Sequence, residues 1–71
     1  MNKVVTWNGR TLTIPDYLLD KYKKITGTDA LEHVDELCGI CQKDLPDTVS
    51  DEYFTHVFCG MLQDEISMLE G

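Results

Sequence analysis

Two short runs rich in β-branched and aromatic residues, Val4-Val5-Thr6-Trp7 and Arg10-Thr11-Leu12-Thr13-Ile14, flank Asn8-Gly9 near the start of the chain. Asn-Gly tolerates the positive φ angles that a type I′ turn demands, so residues from about 3 to 14 read as a β-hairpin. Pairing outward from that turn sets Trp7 opposite Arg10, Val5 opposite Leu12 and Lys3 opposite Ile14. Val5, Trp7, Leu12 and Ile14 then share one face, and Val4, Thr6, Thr11 and Thr13 the other. An apolar face backed by threonines predicts a hairpin lying over the rest of the chain as a lid.

The period then changes from two to that of a helix. Leu18, Leu19, Tyr22 and Ile25 recur at helical spacing over about 15–26, with Pro15 at the opening and Gly27 at the stop. Asp16 and Asp20 come early and Lys21, Lys23 and Lys24 late, an order that complements the helix dipole. A second helix starts near Thr28-Asp29, where Asp29 and Glu32 have capping-box spacing. Its stripe is Ala30, Leu31, Val34, Leu37 and Cys38; it ends at about 38 or runs on to 44, and Pro46 sets the latest limit. The third, over about 50–69 or starting later near His56, carries Phe54, Val57, Phe58, Met61, Leu62, Ile66 and Leu69 on one side. Leu45 to Ser50 is the one clear loop. The expected fold class is α+β, mostly α: one domain, residues 1–71, with a hairpin packed on three helices.

Composition tightens the picture. The chain has 71 residues, 42% of them hydrophobic and 27% charged, an ordinary globular balance. A domain this small buries only about 60% of the surface its unfolded chain exposes, which leaves little room for a deep pocket. No apolar run approaches the ~20 residues of a membrane span and no signal segment is legible, so a cytoplasmic protein is expected. Six Lys plus Arg stand against thirteen Asp plus Glu, a net charge of −7, which disfavours nucleic acid and anionic membranes as partners. The charge is also uneven. Lys3, Arg10, Lys21, Lys23 and Lys24 outweigh Asp16 and Asp20 in residues 1–28, whereas residues 29–71 hold eleven acids and only Lys43. Such a surface either keeps a tiny protein soluble or docks a larger basic protein. Trp7, Arg10, Asp44, Asp47, Asp51 and Glu52 are the candidate partner-binding residues; a packed Trp7 with Arg10 stacked across it is the competing account of the first two.

One constellation could carry chemistry. All three cysteines and one of the two histidines fall in Cys38-Gly-Ile-Cys41 and, fourteen residues later, His56-Val-Phe-Cys59. Tetrahedral zinc is often held by two such short-spaced pairs. The alternative is a continuous helix from Asp29 to about Asp44, with the cysteines as small buried core residues; Gly39 counts mildly against it. His33, beside Glu32 and Asp35, is a reserve ligand. A redox pair would need a βαβ setting, and disulfides an oxidising compartment. A Cys–His nucleophile would lack an orienting third group. Asp44, Asp47, Asp51 and Glu52 do not have the spacing of a calcium loop.

Over residues 38–59 the chain resembles the treble-clef and RING-like zinc fingers, in which a knuckle such as Cys38-Gly-Ile-Cys41-Gln-Lys is followed by ligands in the first turn of a helix. It departs from them at Gln42, where a glycine is common, and it lacks the second zinc pair of a RING, so ubiquitin-ligase function is not carried over. The resemblance implies a structural zinc on Cys38, Cys41, His56 and Cys59, with no open coordination position and therefore no enzyme. The expected function is a small acidic protein-binding regulatory or inhibitory module, stapled by that zinc. Two alternatives stand beside it. One is a zinc-finger nucleic-acid binder using Lys3, Arg10, Lys21, Lys23 and Lys24; the other is a metal-free helical assembly or structural subunit that self-associates.

Overall fold

The computed structural model describes residues 1–70. Strands β1 (Asn2–Trp7) and β2 (Arg10–Pro15) form a two-stranded antiparallel sheet. Its register is the one the turn dictates: Trp7 pairs with Arg10, Val5 with Leu12 and Lys3 with Ile14. Asn8 and Gly9 take φ angles of 49° and 77°, the left-handed pair of a type I′ turn. Leu12 and Ile14 are fully buried, Val5 and Trp7 half-buried, and Val4 with the three threonines exposed. Pro15 falls where the alternation of ladder bonds turns its missing N–H outward, so no pairing is lost. The next N–H, that of Asp16, resumes the ladder by donating to the Met1 carbonyl at 3.0 Å.

Helix α1 spans Asp16–Thr26, with Pro15 as its N-cap rather than its first residue. Gly27, at φ 76°, ends it by donating its N–H to the Lys23 carbonyl at 2.8 Å, as a left-handed C-terminal residue should. The second helical segment opens as a 3₁₀ turn, Ala30–His33, and becomes α2 at Val34–Lys43. The Asp29 carboxylate accepts from the Leu31 N–H at 3.0 Å, so Asp29 caps the turn. Helix α3 spans Asp51–Glu70. The Ser50 hydroxyl oxygen accepts from the Tyr53 N–H at 3.1 Å, which fixes the start of α3 near Ser50 and not at His56.

The core is apolar throughout, with no buried polar or charged side chain among the described residues. Phe54, Phe58, Leu62 and Ile66 form its spine from α3, meeting Leu12 and Ile14 of the sheet, Leu18, Leu19 and Tyr22 of α1, and Ala30, Leu37, Cys38 and Cys41 from the second segment. Leu69 lies on the same stripe of α3 but is 58% exposed; the stripe runs one turn past the elements that cover it.

Arg10 binds the hairpin to the loop before α3. Its guanidinium donates to the carbonyls of Val49 at 2.8 Å and Asp47 at 2.9 Å, and to the Asp51 carboxylate at 3.2 Å. The other Asp51 oxygen accepts from the Thr11 N–H at 3.1 Å, covering a donor on the open edge of β2. The cation lies 4.9 Å from the Phe54 ring centroid, and Trp7 stacks on that same ring at 5.8 Å. Trp7 and Arg10 are thus packed residues, as the competing account held, although both lie on Phe54 and not on each other. An Arg10→Met variant leaves those carbonyls without a donor and is expected to lose about 2 kcal/mol of stability, a fall of roughly 8–16 °C in melting temperature. Arg10→Lys should recover less than half of it, because a single ammonium cannot reproduce the planar fork. Melting temperatures of the two variants check this; a lysine variant as stable as the parent would refute the fork.

Candidate functional site

The helix of residues 34–43 decides the fate of the cysteine pattern. Cys38 and Cys41 do not form a knuckle. They sit one turn apart inside α2, on the stripe that begins with Leu37, and both are buried. The Cys41 thiol faces the Met61 thioether at 3.8 Å, so its neighbour across the helix contact is a core side chain. Cys59 is half-buried on α3 and His56 is exposed. Among the described residues no three of His, Cys, Asp and Glu are grouped so as to hold a metal ion. The likeness to treble-clef and RING-like fingers is therefore overturned: the spacing is present, but Cys38, Cys41, His56 and Cys59 do not converge. His33 gains no companions either; its ring stands 4.0 Å from Glu36 of the same segment.

The physical reason lies in the residues between and after the cysteines. A knuckle needs a tight turn after its second cysteine, which a glycine there permits; here Gln42 continues the helix. Its side-chain amide donates to the Leu45 carbonyl and to the Asp47 carboxylate, each at 3.2 Å, closing the helix end over the loop. Burial then makes the thiols poor ligands. Desolvation, followed by the nearby Cys41 and Asp35, pushes the Cys38 thiol up from 9.0 to about 11. Burial also raises Cys41, with Asp44 adding to it, and raises Cys59. A metal binds the thiolate, which these surroundings disfavour.

The acidic candidates divide into two pairs. Asp51 is paired with Arg10; Asp47 accepts from Gln42 and lends its carbonyl to Arg10. These two hold the loop in place. Asp44 and Glu52 are exposed, and neither has a cation partner among the described residues. Asp64, which the sequence reading had not singled out, is exposed and unpaired in the same way. A mid-helix acid carries no local signal of its own, and only the path of the chain places it beside Asp44. On the basic side, Arg10 is tied into the fold and Lys21 lies 3.3 Å from Glu70. Lys3 and Lys23 border a shallow groove shared with Asp16, Asp20 and Asp29. The basic residues of the nucleic-acid alternative are thus interleaved with acids.

Two of the grooves that border α3 hold candidate residues. One, about 520 Å³, lies between α3 and the outer end of β2 and includes Thr13, Pro15, Tyr53, His56 and Cys59. The other, about 400 Å³, lies between α2 and α3, with Ile40, Leu45, Val57, Gly60 and Met61 inside and Asp44 and Asp64 among its residues. His56 belongs to both and forms the ridge between them.

Because Cys38 is protonated in the fold to about pH 11 while an exposed thiol ionises near 9.0, the unfolded chain releases its proton first as pH rises. The stability contributed by the neutral buried thiol is complete below about pH 9 and declines as pH rises from there through about 11. Tyr22, raised by burial and by its hydrogen bond to Glu65, adds a loss of the same sign at alkaline pH. Urea unfolding at pH 7, 9 and 10.5 should show this fall. A thiol reagent at pH 8 should modify Cys59 first and reach Cys38 and Cys41 only at the rate of unfolding. Rapid labelling of all three in the folded chain would contradict the burial.

Comparison with known proteins gives no further lead: no protein-family model matches the chain, and neither the curated proteins nor the solved structures hold a significant match.

Proposed function

We propose that this chain is a small acidic protein-binding module, regulatory or inhibitory in kind, that docks on a larger basic protein. The observation that carries the reading is the unneutralised acidic surface of the second half. Glu32, Asp35, Asp44, Glu52 and Asp64 are exposed, and among the described residues none is in an ion pair. Helix dipoles account for Asp35 and Glu52, but Asp44 and Asp64 have no such role in the fold, and their charge opposes the compact state by self-repulsion. A basic partner relieves that repulsion and is steered to the surface by it. The reading is of a binding protein and not an enzyme: the grooves are open and shallow, and the three thiols are held in their protonated, weakly nucleophilic form. Free thiols in place of disulfides suit a reducing, cytoplasmic setting.

Affinity capture from fractionated lysate of the source cells tests the reading, with the wild-type chain and an Asp44→Asn/Glu52→Gln/Asp64→Asn variant as parallel baits. A discrete protein of net positive charge, retained at low salt by the first and released by about a Debye-screening increase to 0.5 M salt, is expected; the variant should retain at least about fivefold less. Retention unaffected by salt and by the three substitutions would reject an electrostatic dock.

A second reading, a metal-free assembly subunit, draws on one specific feature. Tyr17, Met68 and Leu69 are 65%, 81% and 58% exposed, large apolar groups at the start of α1 and the end of α3. Sedimentation equilibrium separates the two: the binding module is a monomer of 8.1 kDa at about 0.5 mM, a concentration at which a pair with mM affinity is already partly associated. A concentration-dependent mass abolished by Met68→Ser/Leu69→Ser would favour the assembly reading instead.

A further inference from the structure

We infer that the groove between α2 and α3 is the place where the basic partner inserts an amphipathic helix, an inference that rests on the binding reading above. The walls of the groove are two helices and its floor is apolar. Ile40, 47% exposed, stands on the α2 side; Val57 and Met61 stand on the α3 side, with Gly60 beside them. Asp44 from α2 and Asp64 from α3 add one carboxylate from each wall. From Val57 to Asp64 the groove runs along about 10 Å of helix at 1.5 Å per residue, the length of two turns. Two apolar anchors spaced by three or four residues on a third helix fill such a groove, as in the helix-in-groove mode of recognition.

The charge selects the occupant. A second copy of this chain, at a net −7, is repelled as a whole, and an anionic membrane or nucleic acid meets the same repulsion. A helix with Lys or Arg flanking its apolar anchors meets a carboxylate on both sides.

Gly60 leaves open space on the α3 side of the groove. It lies in the interior of α3, where glycine weakens a helix relative to alanine. Yet a Cβ built there would meet no atom within 4 Å, so nothing inside the molecule requires its absence. Gly39 inside α2 is equally unobstructed and lies outside the groove, so Gly60 contributes space for an occupant while the two carboxylates carry its identity. Because a Cβ at this position meets nothing, a larger residue there projects into the groove.

The test uses two displayed libraries of about 18-residue helical peptides that share randomised apolar positions; one carries Lys and Arg on the polar face, the other Asp and Glu. Both are selected against the full wild-type chain, and enriched peptides are titrated by fluorescence anisotropy. Enrichment from the basic library alone is expected. Gly60→Leu should weaken the enriched peptides at least about tenfold, and Asp44→Asn/Asp64→Asn about fivefold with a shallower salt dependence. Gly60→Ala serves as the fold control, expected to melt no lower than the parent. Unchanged affinity for Gly60→Leu overturns the groove while leaving the acidic-module reading standing. No enrichment, or equal enrichment from both libraries, overturns the groove, while the acidic-module reading stands or falls by the salt dependence of the affinity capture. Loss of self-association on Gly60→Leu, seen by sedimentation, would make the occupant a second copy and overturn the basic helix.

Discussion

The Arg10 guanidinium is the contact on which the rest of the arrangement depends. A two-stranded hairpin has marginal stability of its own, and here its apolar face has to be held against α3 from the turn end. Arg10 does this with three donated hydrogen bonds, to Val49, Asp47 and Asp51, while its flat face covers Phe54. Its side chain is only 13% exposed, and the bond to the Val49 carbonyl is the part-buried one, whereas the Asp47 and Asp51 acceptors lie at the surface and contribute less. Asp51 completes the joint by also accepting from the Thr11 N–H. One ion pair thereby fixes the turn end of the hairpin, the loop after α2 and the first turn of α3, and the apolar spine from Phe54 to Ile66 follows from that starting point.

The hairpin and its register were legible because their cause is local. Asn8-Gly9 sets the turn, and alternation then assigns every side chain to a face. The Gly27 stop and the Asp29 start were legible for the same reason, since each satisfies a backbone group within four residues of itself. The start of α3 stayed open between Ser50 and His56 in the sequence, and the Ser50 cap decides it. The Arg10 joint was not legible. Two of its acceptors are backbone carbonyls some forty positions away, and every residue has a carbonyl, so no side-chain pattern marks them. What could be read was weaker: an arginine on the apolar face of a hairpin has to find acceptors somewhere in the fold.

The cysteines misled because three-residue spacing has two meanings. On a knuckle it brings two thiolates to one ion; on a helix it puts two side chains on one face. Cys38 and Cys41 follow Leu37 on a stripe that already carries Ala30, Leu31 and Val34, and Gln42 lacks the freedom a knuckle turn needs. Those signals favoured the helix. Coincidence of spacing says nothing about distance between segments, and α2 and α3 place Met61, not His56, against Cys41.

The acids show the same contrast between local and distant causes, and it bears on function. Asp29 caps a turn, Asp51 joins the Arg10 network, and Asp35, Glu36 and Glu52 stand in first turns where the helix dipole favours a negative charge. Each has a reason inside the molecule. Asp44 has none: it is the C-cap residue of α2, the end at which the dipole disfavours a carboxylate, and it raises the Cys41 thiol beside it. Asp64 lies in the interior of α3, far from either end and without a cation. The two acids that the fold explains least are the two that line the apolar groove. Stability gives no reason for either carboxylate there, so their shared location is better explained by something that binds there than by the folding of the chain.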